Sequence, residues 1–292
     1  MTTAGSAATA AVASDVERLL GAEPAVRQDE PDSVHQMRVA TRRLRSVLRS
    51  YRSVFDKAQV QELRSELRWL AGILGEARDA EVMAERLETL LAAIGSDLIF
   101  GDITDRLPRA QRAHYTAAHT VVVDTLNGTR YRELRSALTD FIERPPVSAR
   151  ADQPAAEVMA TALRKDYRHL RDRVRAEFAS TPQNRLDALH AVRKAAKRLR
   201  YAAEAASPVL GEPAERVAGD AKSLQSVLGD HRDAAESQEL ILREAQAARA
   251  AGDDLFSYGV AYMAERQQAH RIIADYPRAL EVLTLACAAL GD

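Results

Sequence analysis

The sequence predicts an all-α fold, and three observations support this prediction. Apolar residues recur three and four positions apart in nearly every segment, and no segment shows the sustained alternation expected of a strand. Alanine, leucine, arginine and glutamate dominate the composition, whereas aromatic residues make up only 5% of the 292 residues. This mixture favours helices. A hydrophobic content of 46% is enough for a packed core.

The elements are expected to fall into two halves. Residues 1–13, within "MTTAGSAATAAVAS", carry neither a basic region nor a core rich in Leu, Ile and Val, so we read no signal peptide and expect a disordered segment. The strongest boundary is the proline-rich stretch "ERPPVSARADQP". The expected organisation is a first helical bundle over 14–144, a linker over 145–154 and a second helical bundle over 155–292. Helix breaks are predicted at Gly95, Asn127-Gly128, Pro145-Pro146, Pro182, Ser207–Pro213, Gly252 and Pro277.

The first functional element is the helix that contains "HQMRVATRRLRSVLRSYR", from His35 to Arg52, with six arginines and no acid. Ser33 and Gln36 form a predicted capping box that starts this helix at about Val34. At 100° per residue, one histidine and four arginines share a stripe roughly 21 Å long: His35, Arg38, Arg42, Arg45 and Arg49. A different face carries the apolar residues Met37, Leu44, Leu48, Tyr51 and Phe55.

The second half repeats this pattern. Asp187 is a candidate N-cap for a helix whose basic stripe contains His190, Arg193, Lys197 and Arg200, opposite the apolar residues Leu189, Val192 and Leu199. The preceding segment "LRKDYRHLRDRVR" adds arginines at steps of four, three and four residues: Arg164, Arg168, Arg171 and Arg175.

Two separated blocks match between the halves. "HQMRVATRRLRS" aligns with "HAVRKAAKRLRY" at an offset of 155 residues, and "LRWLAGILGEARDA" aligns with "AKSLQSVLGDHRDA" at an offset of 154. Because both blocks keep the same separation, we infer an internal duplication that gives two similar bundles with approximate two-fold symmetry.

The basic stripes indicate an anionic partner. Like charges three and four residues apart destabilise a helix by roughly 0.2–0.5 kcal/mol per pair, and a solvated helix would intersperse acids among them. The planar guanidinium group donates two hydrogen bonds at once to a phosphate. The alternative is that acids on neighbouring helices neutralise the arginines. The formal net charge of −1 argues against a generic basic binder.

The motifs "VHQMRVATRRLRSVLR", "LGEARDAEV", "LHAVRKAAKRLRY" and "LGDHRDAAE" resemble the CHAD domain, the conserved histidine α-helical domain. The resemblance covers about residues 14–290. It implies two four-helix bundles related by a pseudo-two-fold axis, with a basic cavity between them. It also implies binding of inorganic polyphosphate, and some family members are found with polyphosphate granules.

Carried onto this sequence position by position, the resemblance implies a set of polyphosphate-binding residues on the basic helices of both halves. They are His35, Arg38, Arg42, Arg43, Arg45, Arg49, Arg64, Arg68, Arg78, Arg164, Arg168, Arg171, His190, Arg193, Lys194, Lys197, Arg198, Arg200, Lys222 and Arg232. For Arg78 and Arg232 a structural ion pair or helix cap is an open alternative, because Asp79 and Asp233 follow them directly.

No catalytic chemistry is expected. The sequence has no HExxH motif, no phosphate-binding loop with GK[ST] and no carboxylate cluster with metal spacing, so we expect neither an enzyme nor a metal site nor a cofactor. Some proteins with this domain also carry a triphosphatase domain of the CYTH type, but its ExExK motif is absent from this sequence.

The expected setting is the cytoplasm, with association with polyphosphate granules as an extension. Apolar stretches are too short for a membrane span, and the single cysteine, Cys287, is expected to pack as a small hydrophobic residue. Two other partners stay open. Arginine stripes can bind the backbone of RNA or DNA, although aromatic platforms for bases are almost absent from the charged faces. The arginines can also dock an acidic protein.

Overall fold

The computed structural model describes residues 2–289 of the chain. Within this range the regular structure is helical, with ten α-helices, three short 3₁₀ helices and only isolated β-bridges. The predicted all-α fold is confirmed. The α-helices are α1 (Ala4–Arg27), α2 (Ser33–Ser50), α3 (Lys57–Ala92), α4 (Ile103–Asn127), α5 (Thr129–Glu143), α6 (Ala155–Phe178), α7 (Arg185–Leu210), α8 (Glu212–Ala251), α9 (Phe256–Ile273) and α10 (Tyr276–Ala288).

Helices that are adjacent in the chain are also neighbours in space. In the first half α1 packs on α2, α2 on α3, and α3 on α4 and α5. In the second half α6 packs on α7, α7 on α8, and α8 on α9 and α10. Contacts between α2 and α7 join the two halves. No helix between residues 2 and 289 is both long and apolar enough to cross a lipid bilayer.

The larger of two hydrophobic clusters among the described residues extends through both halves. The apolar face predicted for the first basic helix is buried at all five positions, Met37, Leu44, Leu48, Tyr51 and Phe55. The buried Tyr51 hydroxyl donates a hydrogen bond of 2.7 Å to the carbonyl oxygen of Ala202 on α7. The two halves are therefore fixed to each other by apolar packing around α2 and α7.

The expectation that residues 1–13 are disordered is wrong for the described part of that segment, because α1 begins at Ala4. The Thr3 side chain caps the helix, and the amide of Ala4 donates to the carbonyl oxygen of Gln153 at 2.8 Å. Gly5 lies so close to Ala151 that a Cβ at this position would be 2.8 Å from the alanine side chain. Alanine-rich sequence has the highest helix propensity, and small side chains let the helix approach the linker closely.

Two predicted helix starts also differ from the structure. Asp32 precedes α2 in a left-handed conformation, and Gln36 donates to its carboxylate at 2.7 Å, so Ser33 is the first helical residue and not the cap. Helix α7 begins at Arg185, two residues before the predicted cap Asp187. His190 therefore lies in the second turn of its helix rather than in the first.

Buried ion pairs recur at corresponding positions of the two halves. Arg43 on α2 pairs with Asp15 on α1, and Arg198 on α7 pairs with Asp166 on α6. The arginines are 155 residues apart in the sequence, and both acids are about 1% exposed. These matching contacts support the internal duplication, which itself stays an inference from the sequence.

Candidate functional site

Side chains from both halves line a single cleft of about 430 Å³. Helices α2 and α3 provide one wall, and α7 and α8 provide the other. The lining residues are His35, Arg38, Arg42, Arg78, Asp79, Val82 and Met83 from the first half, and His190, Arg193, Arg232, Asp233 and Glu236 from the second. The basic stripes that contain His35 on α2 and His190 on α7 therefore face the same cleft.

Two glycines make room for the arginines at the base of this cleft. A Cβ at Gly75 on α3 would lie 3.8 Å from Nε of Arg38, and a Cβ at Gly229 on α8 would lie 3.1 Å from Nε of Arg193. Each guanidinium group therefore lies across the bare backbone of the facing helix. At Gly229 the short distance gives a physical reason for the glycine in "LGDHRD", whereas the 3.8 Å at Gly75 is an ordinary contact distance.

In the first half the arginines of the cleft have acidic partners that differ from the sequence interpretation. Arg38 donates to Asp79 at 2.9 Å, and Arg78 donates to Glu81 at 2.7 Å. Arg78 does not use the aspartate that follows it. It is held by an acid one turn later and still lines the cleft, so a structural ion pair and a place at the site occur together.

In the second half Arg232 connects the histidine to an acid. Its Nε donates to Glu236 at 2.5 Å, and its Nη1 lies 2.6 Å from Nδ1 and 2.9 Å from Nε2 of His190. Because a guanidinium group can only donate and a neutral imidazole has one acceptor nitrogen, His190 accepts through one of its two ring nitrogens in the neutral form. Burial and the charge of Arg232 lower the pKa of His190 to about 4.

Half-buried like charges lie between α2 and α7, where Arg42 lines the cleft and Lys197 lies near Arg42 without being one of the lining residues. Burial lowers the pKa of Lys197 to about 6, and the positive charges of Arg42 and Arg193 add to this effect. Burial also lowers the pKa of Arg42 to about 10, with Arg38 as a second cause. Desolvation and repulsion therefore act together on these cations.

The cleft has an excess of positive charge. Five arginines line it against three carboxylates, those of Asp79, Asp233 and Glu236. The Nε atoms of Arg38, Arg78 and Arg193 are buried without a hydrogen-bond partner among the described residues. The acids on α3 and α8 were not part of the predicted site. Their signal in the sequence is the position of Asp79 and Glu236 one and four residues after the arginines of the LGxxRD motifs.

Beyond the cleft, the basic stripe of α2 continues with Arg45 and Arg49 and runs beside arginines of α3. Burial lowers the pKa of Arg45, and Arg68 and Arg64 on α3 contribute to the same shift. Burial and the charge of Arg198 likewise lower the pKa of Arg49. The predicted residues on α3 thus lie beside the predicted stripe on α2.

Two predicted ligands are bound by carboxylates of the protein instead. Arg43 Nε lies 2.6 Å from Asp15, and its Nη1 donates to Glu204. Arg198 pairs with the buried Asp166. The sequence could not identify these partners, because they lie on other helices far away in the chain. The structure thus places both arginines in the packing between helices.

Several residues of the predicted set are not among the lining residues of the first cleft. Arg200 donates to Glu204 at 2.7 Å, one turn later on α7. Arg164 is partly exposed, and its neighbours on α6 are exposed, with the Arg171 guanidinium 5.9 Å from the centre of the Tyr167 ring. The remaining exposed members are Arg168, Lys194 and Lys222.

The chain matches the family model of the CHAD domain over residues 10–242. It therefore belongs to the CHAD domain family, which confirms the resemblance drawn from the motifs. It is 36% identical over 276 residues to the uncharacterized proteins Rv2226 and MT2285 from two strains of Mycobacterium tuberculosis. Each match covers 94% of this chain and 53% of the relative, so the chain spans about half the length of these relatives.

Two solved structures share the fold. PptA from Streptomyces chartreusis superposes with a TM-score of 0.78 at 20% identity, covering 96% of this chain and 99% of that chain. The CHAD domain from the plant Ricinus communis gives a TM-score of 0.72 at 23% identity, covering 97% and 92%. At these identities the comparison concerns the architecture alone.

Proposed function

We propose that this protein binds inorganic polyphosphate in the cleft between α2, α3, α7 and α8, without transforming it. The single observation that carries the proposal is that His35, Arg38 and Arg78 share one cleft with His190, Arg193 and Arg232. The CHAD family is associated with polyphosphate in general, which agrees with a cleft that has more arginines than acids. Association with polyphosphate granules in the cytoplasm would follow from the same binding.

The proposed mechanism is multidentate capture of a linear polyanion. Guanidinium groups from opposite walls would donate to phosphoryl oxygens, at about 1.5–3 kcal/mol per charge-assisted bond before the cost of desolvation. The acids of the cleft hold the arginines in place, as Asp79 does for Arg38 and Glu236 for Arg232. The ligand would also offset the repulsion that Arg38 and Arg193 exert on Arg42. Part of the unfavourable charge burial in the free protein would thereby be recovered on binding.

We interpret the charged residues of the cleft as binding residues and assign no catalytic role to them. Burial lowers the pKa of Arg42 only to about 10, so its guanidinium group stays protonated near neutral pH and can donate to phosphoryl oxygens. Neutral His190 already accepts from Arg232. Hydrolysis of polyphosphate by the purified protein would contradict this part of the proposal.

The decisive experiment is calorimetric titration of a double variant, Arg42→Glu with Lys197→Glu. Carboxylates at positions 42 and 197 would neutralise the neighbouring arginines Arg38 and Arg193, so the fold should persist while polyphosphate binding is lost. The matched control is Arg243→Glu with Arg278→Glu, which makes the same change in net charge at exposed positions on α8 and α10. Unchanged affinity of the first variant, with helical content intact, would refute the site.

RNA of matched charge should be titrated in parallel. Tighter binding of RNA than of polyphosphate would favour the nucleic-acid alternative. An acidic polypeptide that competes at similar charge would favour the protein-docking alternative. Preference for polyphosphate over both is the expected result.

A further inference from the structure

A second basic cleft, of about 730 Å³, lies where the end of α2 meets the linker and the start of α6. Its charged lining consists of Arg49, Arg52, Arg150, Lys165 and Arg198, with Glu157 as the only acid among the described lining residues. Ser50, Ser53, Gln153 and Thr161 add hydroxyl and amide donors. This lining is suited to an anion that carries several oxygens.

Most of this positive charge is not used by the fold. Arg198 pairs with Asp166, which also accepts a hydrogen bond of 2.6 Å from Ser50. The four other cations face one acid, Glu157, so an excess of positive charge remains after every pairing within the lining. Arg52 and Lys165 are exposed, so a ligand can reach them from solvent.

The two clefts share no lining residue, but arginines on one face of α2 line both of them. Arg38 and Arg42 line the first cleft, and Arg49 lines the second. The interval from Arg42 to Arg49 is two helical turns, about 10 Å, and Arg45 lies between them on the same stripe. Arg64 and Arg68 on α3 flank this interval, as their repulsion of Arg45 shows.

The corresponding positions on α7 do not continue the basic stripe. At the offset of 155 residues that relates the basic helices, Arg49 corresponds to Glu204. Glu204 accepts from both Arg200 and Arg43. The positive charge on that side is therefore neutralised within the protein, and the two ends of the first cleft are electrostatically different.

We propose that the second cleft binds the segment of linear polyphosphate that leaves the first cleft along α2, an inference that rests on the proposed function. The bound chain would follow α2 past Arg45 and Arg49 and end among Arg52, Arg150 and Lys165. Long chains would then occupy both clefts, whereas triphosphate would be held in the first cleft alone. The protein would select chain length through the distance between its two clefts.

The test compares triphosphate with long-chain polyphosphate on the variant Arg52→Glu with Lys165→Glu. Because Arg52 and Lys165 are exposed, solvent screens their contacts, and their loss predicts that long-chain affinity falls by roughly tenfold to a hundredfold, while triphosphate affinity stays within error of the wild type. The control Arg243→Glu with Arg278→Glu should change neither. Both substituted positions in each variant are exposed, and circular dichroism checks that helical content is retained.

The outcomes separate this inference from the proposed function. Long-chain affinity equal to that of the control would overturn the second cleft while leaving the first intact. Equal weakening of both ligands would also overturn it, because a general electrostatic effect does not depend on chain length. Absence of any polyphosphate binding by the wild-type protein would reject the proposed function and this inference together.

Discussion

Lys197 is the residue at which stability and binding conflict most clearly. Its pKa falls from 10.5 to about 6 on burial, so the folded protein disfavours the ammonium form. Because the folded-state pKa is the lower one, the cost is absent above the unfolded-state pKa and grows as pH falls toward 6. Such a side chain is expected at a site where function requires charge that the fold does not neutralise.

Substitution Lys197→Met should therefore stabilise the protein without ligand and impair binding. The free energy of unfolding at pH 7 is expected to rise by about 0.5–2 kcal/mol, because the unbranched apolar side chain removes the buried amine. Denaturant unfolding with and without polyphosphate measures both effects. The exposed Lys57→Met is the control and should change neither quantity. A destabilised variant that binds normally would contradict the assignment.

The same lysine should make binding take up protons. A bound polyanion favours the ammonium form of Lys197 and the imidazolium form of His190, whose pKa values in the free protein are about 6 and about 4. Affinity should therefore increase as pH falls from 8 toward 6, in the opposite direction to a site that deprotonates on binding. Calorimetry in buffers of different ionisation enthalpy counts the protons. Lys197→Met should lose most of the uptake near pH 7, and an unchanged count would refute its role.

At the level of helices, substitution by alanine should have different effects at Gly75 on α3 and at Gly229 on α8, because the two glycines lie at different distances from an arginine. Alanine in place of Gly75 or Gly229 gains up to about 1 kcal/mol of helix propensity. At Gly75 the new Cβ meets Arg38 at an ordinary distance of 3.8 Å, whereas at Gly229 it would lie 3.1 Å from Arg193. Gly75→Ala should therefore raise the melting temperature and keep binding. Gly229→Ala should displace Arg193 and weaken polyphosphate binding, and equal affinities of the two variants would contradict this.

How far the sequence predicts these helices depends on whether the signal is local. The apolar positions predicted from spacing alone are buried at all five residues, although α2 ends at Ser50 and Tyr51 and Phe55 follow it. The high helix propensity of the alanine-rich first residues is also a local signal for α1, but their low complexity led to the prediction of disorder. The pairing of Arg43 with Asp15 and Glu204 has no local signal, because three separate helices must pack before the groups meet. Residue spacing identifies a basic face, and only tertiary structure distinguishes binding arginines from structural ones.

For the molecule as a whole, the formal net charge of −1 conceals a strong separation of charge. The first cleft presents five arginines against three acids, and the second presents five cations against one. Outside the clefts, Arg43 pairs with Glu204 and Arg86 pairs with Glu265, so other cations are neutralised within the protein. Long-range attraction of a polyanion should therefore be weak, and binding should depend on contacts made inside the clefts.

This distribution predicts a steep dependence of affinity on salt in spite of the neutral total charge. Each phosphate that is neutralised releases condensed counterions, with a slope of roughly 0.7 per contact for single-stranded nucleic acids, so two clefts should give a slope of several in a plot of log affinity against log salt. Titration of long-chain polyphosphate at ionic strengths from about 0.05 to 0.2 M measures it. The variant Arg42→Glu with Lys197→Glu should lose the slope together with the affinity, whereas Arg243→Glu with Arg278→Glu should preserve both. A flat dependence would mean that phosphate charge does not drive binding, because contacts through hydroxyl and amide groups alone are insensitive to counterions.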